Sequence, residues 1–134
     1  MPIITISVSG RSDAVLSKEI AAEVSALTQK HLRKDPKVTS VVVAYIDPEH
    51  WFVGGPSLSE QAKRSFWLDI KVVDGTNTKQ ELEAYVAAIY QRMQSLLGNI
   101  HQESYILVHE VPAAAYGFGG KTQEYRFIAG KFAA

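Results

Sequence analysis

The hydrophobic pattern repeats one order of elements, strand, helix, strand and glycine turn, in each half of the chain. In the first half, apolar and polar residues alternate over 4–8, which predicts a strand with one buried face. Apolar residues at helical spacing over 16–27 predict an amphipathic helix that Asp13 caps and that ends before Pro36. The continuous apolar run over 41–46 predicts a strand that is covered on both faces.

The second half has the same order of elements. Alternation over 66–72 predicts a strand, and the Thr-Lys-Gln-Glu segment at 78–81 fits a capping box that begins a helix. Gly98 is placed to end this helix, and the run over 105–111 predicts the last strand. The apolar stripe expected to face the core comprises Leu82, Val86, Ile89, Met93 and Leu97.

The two halves are related by a shift of 65 residues, which brings Gly10 onto Gly75 and the Gly pair at 54–55 onto the pair at 119–120. This agreement favours an internal duplication. We predict an α+β fold of two layers, in which tandem β-α-β units form a four-stranded mixed sheet with two helices on one face. The chain is expected to be a single domain over 1–134.

The repeats lie at approximately 2–55 and 66–120, and the remaining segments predict no third helix. Residues 56–65 are polar enough to be a connector, and 121–134 are expected to form a tail that contacts other subunits. The second face of the sheet therefore has no cover within the chain. Because symmetric association commonly covers such a face, we expect a homo-oligomer.

Composition excludes several kinds of site and partner. The 134 residues include 14 Lys and Arg, 14 Asp and Glu, and no Cys, so the net charge is zero. Neither nucleic acid nor a membrane surface is expected as a partner, because both bind clustered positive charge. Without Cys there is no disulfide or thiolate site, and the four scattered His predict no metal. No signal peptide or membrane span is predicted, which favours a cytoplasmic protein.

Pro2 is the strongest candidate for a catalytic group. Removal of Met1, which is usual before a small residue, would leave Pro2 with a secondary amine at the chain end. An α-amino group has a pKa of about 8, and partial burial lowers that pKa toward neutrality, which suits a general base. The alternative is that Met-Pro simply begins a strand, where a missing N–H costs little. Retention of Met1 would leave Pro2 with an amide nitrogen that is not basic.

Several motifs together resemble the pattern of 4-oxalocrotonate tautomerase (4-OT). They are Pro2 before a strand, the Gly-Arg-Ser-Asp turn at 10–13, the run at 39–41, and the glycine hairpins at 52–55 and 117–120. The whole chain resembles a fused, double-length member of the tautomerase superfamily. The resemblance implies the tautomerase fold shared with macrophage migration inhibitory factor (MIF), a homotrimer, and a cofactor-independent reaction in which Pro2 is the base.

The resemblance also implies roles for three further residues. Arg11 matches an arginine that binds a substrate carboxylate, which suits the paired donors of a guanidinium. Trp51 and Tyr116 match an aromatic residue that shields the site. The plainer alternatives are a solvated turn arginine at position 11 and interface packing by the two aromatic residues.

Other positions depart from the 4-OT pattern. Val42 stands at the position where that family has a second arginine, and the matching residue of the second half is Tyr105. In the second repeat, Trp67 takes the position that Pro2 has in the first. Tyr105 and Glu110 are instead similar to residues of cis-3-chloroacrylic acid dehalogenase, in which a carboxylate at the position of Glu110 activates water. The two arginines of that enzyme are replaced here, by Val73 and Thr76.

The expected function is interconversion of the enol and keto forms of a small 2-keto carboxylic acid, with Pro2 as the base and Arg11 orienting the carboxylate. One open alternative is a hydratase, dehalogenase or decarboxylase of the same superfamily that uses Pro2 and Glu110. A second is a non-catalytic oligomeric binding protein.

Overall fold

A computed structural model describes residues 2–133 of the chain. Four strands form the main sheet, and two short strands form a separate hairpin near the carboxyl end. The strands are β1 (Ile3–Ser9), β2 (Ser40–Ile46), β3 (Phe66–Val73), β4 (Tyr105–Val111), β5 (Gly117–Phe118) and β6 (Lys121–Thr122). The helices are α1 (Ala14–Leu32), the single turn α2 (Leu58–Gln61), α3 (Lys79–Leu97) and α4 (Gln123–Phe132).

The main sheet confirms the predicted mixed topology. Its strand order is β2-β1-β3-β4, with parallel pairs β1/β2 and β3/β4 that meet along the antiparallel pair β1/β3. Each parallel pair is joined by one long helix, as a β-α-β unit requires. Since the central pair is antiparallel, the start of β1 lies beside the end of β3, where Ile3 is opposite Lys71. This pairing decides which loops meet at each edge of the sheet.

The core lies between one face of the sheet and the helices α1 and α3. Its strand residues alternate as predicted, and Ile4, Ile6 and Val8 are fully buried. The α1 stripe is confirmed, and the α3 stripe is confirmed except at one position. Val86 is 38% exposed, and Tyr85 takes its place in the core with its hydroxyl 2.8 Å from that of Thr28. Burial of the Tyr85 ring is compatible with this because the phenol has a hydrogen-bond partner.

The predicted helix ends are also formed. The Asp13 carboxylate accepts hydrogen bonds from the amides of Val15 (3.1 Å) and Leu16 (3.0 Å) at the start of α1. At the start of α3, Thr78 and Glu81 form the reciprocal capping box. These side chains satisfy amide donors that an α-helix leaves unpaired in its first turn.

The opposite face of the sheet is uncovered within the chain. On β2 the prediction of a strand covered on both faces does not hold for the single chain, because no element within residues 2–133 packs on the side that carries Val42. Large apolar side chains on this face are between 46% and 62% exposed: Ile3, Val42, Trp67, Tyr105 and Leu107.

The prediction of no third helix is wrong. The connector contains the short α2, and α4 follows the second glycine hairpin with Thr122 as its N-cap. Only Gln123 of α4 is buried, and its apolar residues at helical spacing, Tyr125, Ile128 and Phe132, are exposed in the single chain. Among residues 2–133, no helix is long and apolar enough to cross a membrane.

Candidate active site

Pro2 is buried at the end of the sheet where β1 begins. Its carbonyl oxygen accepts a hydrogen bond from the Ser40 amide at 3.1 Å, which ties it to the start of β2. A cavity of about 280 Å³ adjoins it, and we call this the Pro2 cavity. The cavity is lined by Pro2, Arg33, Lys34, Asp35, Val72, Val73, Thr76 and Tyr116.

The loop after α1 brings two cations to this cavity. Arg33 is the C-cap of α1 and has left-handed backbone angles (φ 59°, ψ 37°), with its amide donating to the Gln29 carbonyl at 3.0 Å. A left-handed residue ends a helix by changing the direction of the chain. The next residue, Lys34, consequently lies in the cavity wall rather than in a further turn of α1.

Hydrogen bonds hold this loop against the turn that follows β3. Arg33 Nη2 donates to the Thr76 carbonyl at 3.2 Å, and Asn77 Nδ2 donates to the Leu32 carbonyl at 3.0 Å. Arg33 also forms a bidentate pair with Glu81, at 2.8 Å from Nε to Oε2 and 3.1 Å from Nη2 to Oε1. The Arg33 guanidinium is therefore paired with Glu81, whereas Lys34 forms no salt bridge among residues 2–133.

Lys34 is the cation that the Pro2 cavity offers to a ligand. Its Nζ donates to Thr76 Oγ1 at 2.8 Å, and within residues 2–133 no carboxylate lies within salt-bridge distance of it. Burial lowers the pKa of Lys34 and the nearby charge of Arg33 lowers it further, whereas the charge of Glu81 opposes this shift. A half-buried ammonium group without an anionic partner is suited to bind a carboxylate.

Tyr116 contributes a polar group that the chain leaves unsatisfied. Its hydroxyl is buried and has no hydrogen-bond partner among residues 2–133, and burial raises the pKa of the phenol. Leaving a buried donor unpaired costs about 1–3 kcal/mol. Tyr116 also lines the Pro2 cavity, so a turn of its side chain toward the cavity would let a ligand acceptor recover that free energy.

The Arg33–Glu81 pair makes one prediction about pH. The hydrogen bond from Arg33, followed by that from the Thr78 amide, lowers the pKa of Glu81 from 4.5 to about 2. A lowered pKa in the folded state stabilises the fold above the unfolded-state pKa, and that stability is lost as the pH falls toward 2. We expect Glu81→Gln to be less stable than the wild type at pH 7 and to lose less stability between pH 5 and about pH 2.

Urea unfolding at a series of pH values measures this difference. Glu83→Gln is the matched control, since Glu83 is exposed on the same helix and has no ion pair among the described residues. Parallel stability curves for the wild type and Glu81→Gln over this range would show that the pair does not stabilise the loop.

The predicted site residues are divided between the two ends of the sheet. Pro2 and Tyr116 line one cavity, and Glu110 lies at the same end, exposed and opposite Val72 on the neighbouring strand. Arg11 follows the far end of β1, about 20 Å away, since seven strand residues rise by about 3.3 Å each. It lies in a separate cavity of about 520 Å³ together with Asp47 and Glu49.

Trp51 and Tyr105 also lie at the end of the sheet occupied by Arg11. Trp51 follows the short helical turn after β2, and its carbonyl accepts from the Leu58 amide at 2.8 Å. Tyr105 is 62% exposed at the start of β4, opposite Trp67, with its hydroxyl donating to Glu103 at 3.0 Å. Within one chain, neither of these aromatic residues is placed to shield Pro2.

Lys34 is the site residue that the sequence pattern did not reveal. In the sequence it is one basic residue in a polar turn, next to a proline that ends a helix. Its position becomes meaningful only when the antiparallel pairing of β1 and β3 brings the turn at 74–77 against it. The histidines add no metal site, as residues 2–133 contain no group of three or more His, Asp or Glu side chains placed to hold a metal ion.

Comparisons with known proteins agree with this fold. Residues 2–61 match the sequence model of the family described as "Tautomerase enzyme". A comparison with curated protein sequences found no match. Similar solved structures were found over nearly the whole chain, all at low sequence identity.

Three of these structures show the range of relatives. A fused 4-OT described as an asymmetric trimer has a TM-score of 0.81 and 14% identity, covering 93% of this chain and 98% of its own. The protein Pt0534, inactivated by 2-oxo-3-pentynoate, has a TM-score of 0.79 and 17% identity, covering 92% and 98%. An MIF-like protein from Entamoeba histolytica has a TM-score of 0.74 and 20% identity, covering 90% and 97%.

The family match in the first half and the shared fold over both halves define the class. Residues 2–61 match the tautomerase family, and the chain as a whole has the fold of fused, double-length 4-OT proteins.

Proposed function

We propose that the protein is a cofactor-independent tautomerase that interconverts the enol and keto forms of a small 2-keto carboxylic acid. The observation that carries the proposal is the shared cavity. In it Pro2 lies near Lys34, which forms no salt bridge among residues 2–133, and near Tyr116, whose buried hydroxyl has no partner among the same residues. Removal of Met1 gives Pro2 the secondary amine that this role requires.

Each residue has a distinct part in the reaction. The unprotonated Pro2 nitrogen takes the proton from the enol hydroxyl, the C2 oxygen becomes the ketone, and the proton is returned to C3. Lys34 binds the carboxylate, and the Tyr116 hydroxyl donates a hydrogen bond to the C2 oxygen, on which negative charge develops. Proton transfer by a positioned base contributes about 10²- to 10⁴-fold to such rates.

The active form is proposed to be a homotrimer, in which a second chain supplies Arg11 to the site. Two observations support this assembly. The sheet face opposite the helices exposes large apolar side chains, and Arg11 lies too far from Pro2 to act on the same substrate within one chain. Fused 4-OT structures of the same fold are described as trimers.

A hydratase or decarboxylase that uses Glu110 is the second candidate, because Glu110 lies at the same end of the sheet as Pro2. Glu110 is outside the group of residues that line the Pro2 cavity, which favours the tautomerase. A Glu110→Gln variant with normal ketonisation agrees with the tautomerase proposal, whereas loss of turnover on every accepted substrate would favour the second candidate.

The test uses two enol substrates and one inactivator. We expect purified protein that lacks Met1 to catalyse ketonisation of phenylenolpyruvate or 2-hydroxymuconate above the buffer rate. 2-Oxo-3-pentynoate is expected to inactivate it by conjugate addition, in which the Pro2 nitrogen bonds to C4 of the alkyne and its proton moves to C3.

Peptide mass spectrometry then locates the product. The predicted adduct adds the mass of one inhibitor molecule to the amino-terminal peptide, and prior incubation with a competing substrate slows its formation. Inactivity on both enols, together with no adduct on Pro2, would contradict the proposal and favour a non-catalytic binding protein.

A further inference from the structure

A second cavity of about 620 Å³ lies against α4 and adjoins the Pro2 cavity. The two spaces share Val73 and Thr76 in their walls. The apolar lining residues of the second cavity are Val73, Ala113, Phe127 and Ile128, and we call this space the α4 chamber. A ligand anchored in the Pro2 cavity therefore has an adjoining space into which a larger substituent extends.

The wall of the chamber that α4 forms is held in place by contacts within the protein. The backbone amide of Gln123 donates to the Tyr116 carbonyl at 3.0 Å, which joins the start of α4 to a residue of the Pro2 cavity. The Arg126 guanidinium lies 3.9 Å from the centre of the Phe118 ring, and its Nη2 donates to the Phe118 carbonyl at 2.9 Å. α4 is consequently fixed to the β5–β6 hairpin, so the chamber is preformed.

The chemistry of the chamber distinguishes between kinds of substituent. Phe127 is 67% exposed and Ile128 48% exposed, so apolar surface is available for contact. Exposed apolar surface of this kind commonly marks a site of interaction. The charged lining residues, Glu124 and Arg126, have opposite signs. Arg126 Nη2 donates to the Phe118 carbonyl, whereas its buried Nε has no hydrogen-bond partner among residues 2–133. The chamber therefore offers no net positive charge to a second carboxylate.

We propose that the α4 chamber binds the apolar tail of the substrate and that Phe127 and Ile128 are specificity-determining residues. The substrate is then a 2-keto monocarboxylic acid with an aryl or branched alkyl tail, rather than a dicarboxylic acid. This assignment rests on the proposed function, because the carboxylate at Lys34 sets the direction in which the tail extends.

The test fills the chamber and compares three substrates. Ala113→Phe places a ring in the chamber. Ala114→Phe is the matched control, because Ala114 lies in the same short helical turn (Ala113–Ala115), is exposed and does not line the chamber. We expect the wild type to prefer phenylenolpyruvate to 2-hydroxymuconate in kcat/KM. One methylene group more or less in an apolar pocket changes kcat/KM by about 10- to 200-fold.

Ala113→Phe is therefore expected to lower kcat/KM for phenylenolpyruvate by about 10-fold or more, and to leave that for the enol of 2-ketobutyrate, which has no large tail, nearly unchanged. Ile128→Ala enlarges the chamber. We expect it to change the ratio of kcat/KM for phenylenolpyruvate to that for the enol of 2-ketobutyrate, and circular dichroism checks that the variant is folded. Ala114→Phe is expected to leave both values unchanged.

Three outcomes overturn the assignment. They are a preference for 2-hydroxymuconate, an equal loss on both monocarboxylates, and a change in subunit number for Ala113→Phe measured by light scattering. The last would show that a neighbouring chain occupies the chamber. Each leaves the proposed function standing as long as the wild type still ketonises an enol, whereas inactivity of the wild type on all three acids would contradict the proposed function itself.

Discussion

Insertion of one alanine before Pro2 is expected to lower kcat/KM for enol ketonisation by about 10²- to 10⁴-fold. The insertion converts the secondary amine of Pro2 into an amide, which removes the base and leaves every side chain of the cavity in place. Steady-state kinetics on purified protein, with mass spectrometry to verify the amino terminus, measures the effect.

Pro2→Ala is the companion variant, because it keeps an amine at the chain end but makes it primary. We expect its activity to lie between those of the wild type and the insertion variant. Unchanged thermal unfolding of both variants would show that the loss is chemical. Full activity in the insertion variant would exclude the Pro2 nitrogen as the catalytic base.

Lys34→Gln is expected to lower kcat/KM by about 10- to 100-fold, mainly through a higher KM. A hydrogen bond to a charged group contributes about 1.5–3 kcal/mol, and the glutamine amide replaces the ammonium group without its charge. Lys37→Gln is the matched control, since Lys37 lies on the same loop, is exposed and does not line the cavity.

Lys34→Arg gives a second comparison. It keeps the positive charge in the cavity and is expected to recover part of the lost affinity. An unchanged KM in Lys34→Gln would show that the substrate carboxylate binds elsewhere, with Arg11 of another chain as the remaining candidate.

The elements of the fold could be predicted because their signals are local. Alternation over 66–72 and the Thr78–Glu81 capping box each involve neighbouring residues, and both are present in the structure. The exchange of Val86 for Tyr85 in the core was not predictable from spacing. It depends on Thr28, a residue of another helix, which provides the partner for the Tyr85 hydroxyl.

The composition of the candidate site was less predictable, because it depends on which loops meet. Pro2 and Tyr116 were predicted from the resemblance and lie together, but Arg11, Trp51 and Tyr105 lie at the opposite end of the sheet. Motif matching identifies residue types and leaves open which chain contributes each of them. Lys34 was missed because a single basic residue in a turn has no distinguishing pattern.

The α4 helix was missed for a different reason. The apolar residues Tyr125, Ile128 and Phe132 of α4 recur at helical spacing, but the helix has only 10 residues, and a periodic run that short is ambiguous in a sequence. Its position depends instead on the Thr122 cap and on the contact of Arg126 with Phe118, neither of which has a periodic signal. The chamber that this helix encloses was accordingly absent from any prediction based on the sequence alone.

The central claim is that the Pro2 nitrogen is the catalytic base, and nitrogen NMR of protein labelled with ¹⁵N-proline tests it most directly. We predict that the Pro2 nitrogen titrates as an amine. The midpoint of this titration should coincide with the pH at which kcat/KM is half of its maximum on the acidic side of its pH profile. A Pro2 nitrogen that does not titrate in active protein, or a midpoint clearly separated from that pH, would contradict the claim.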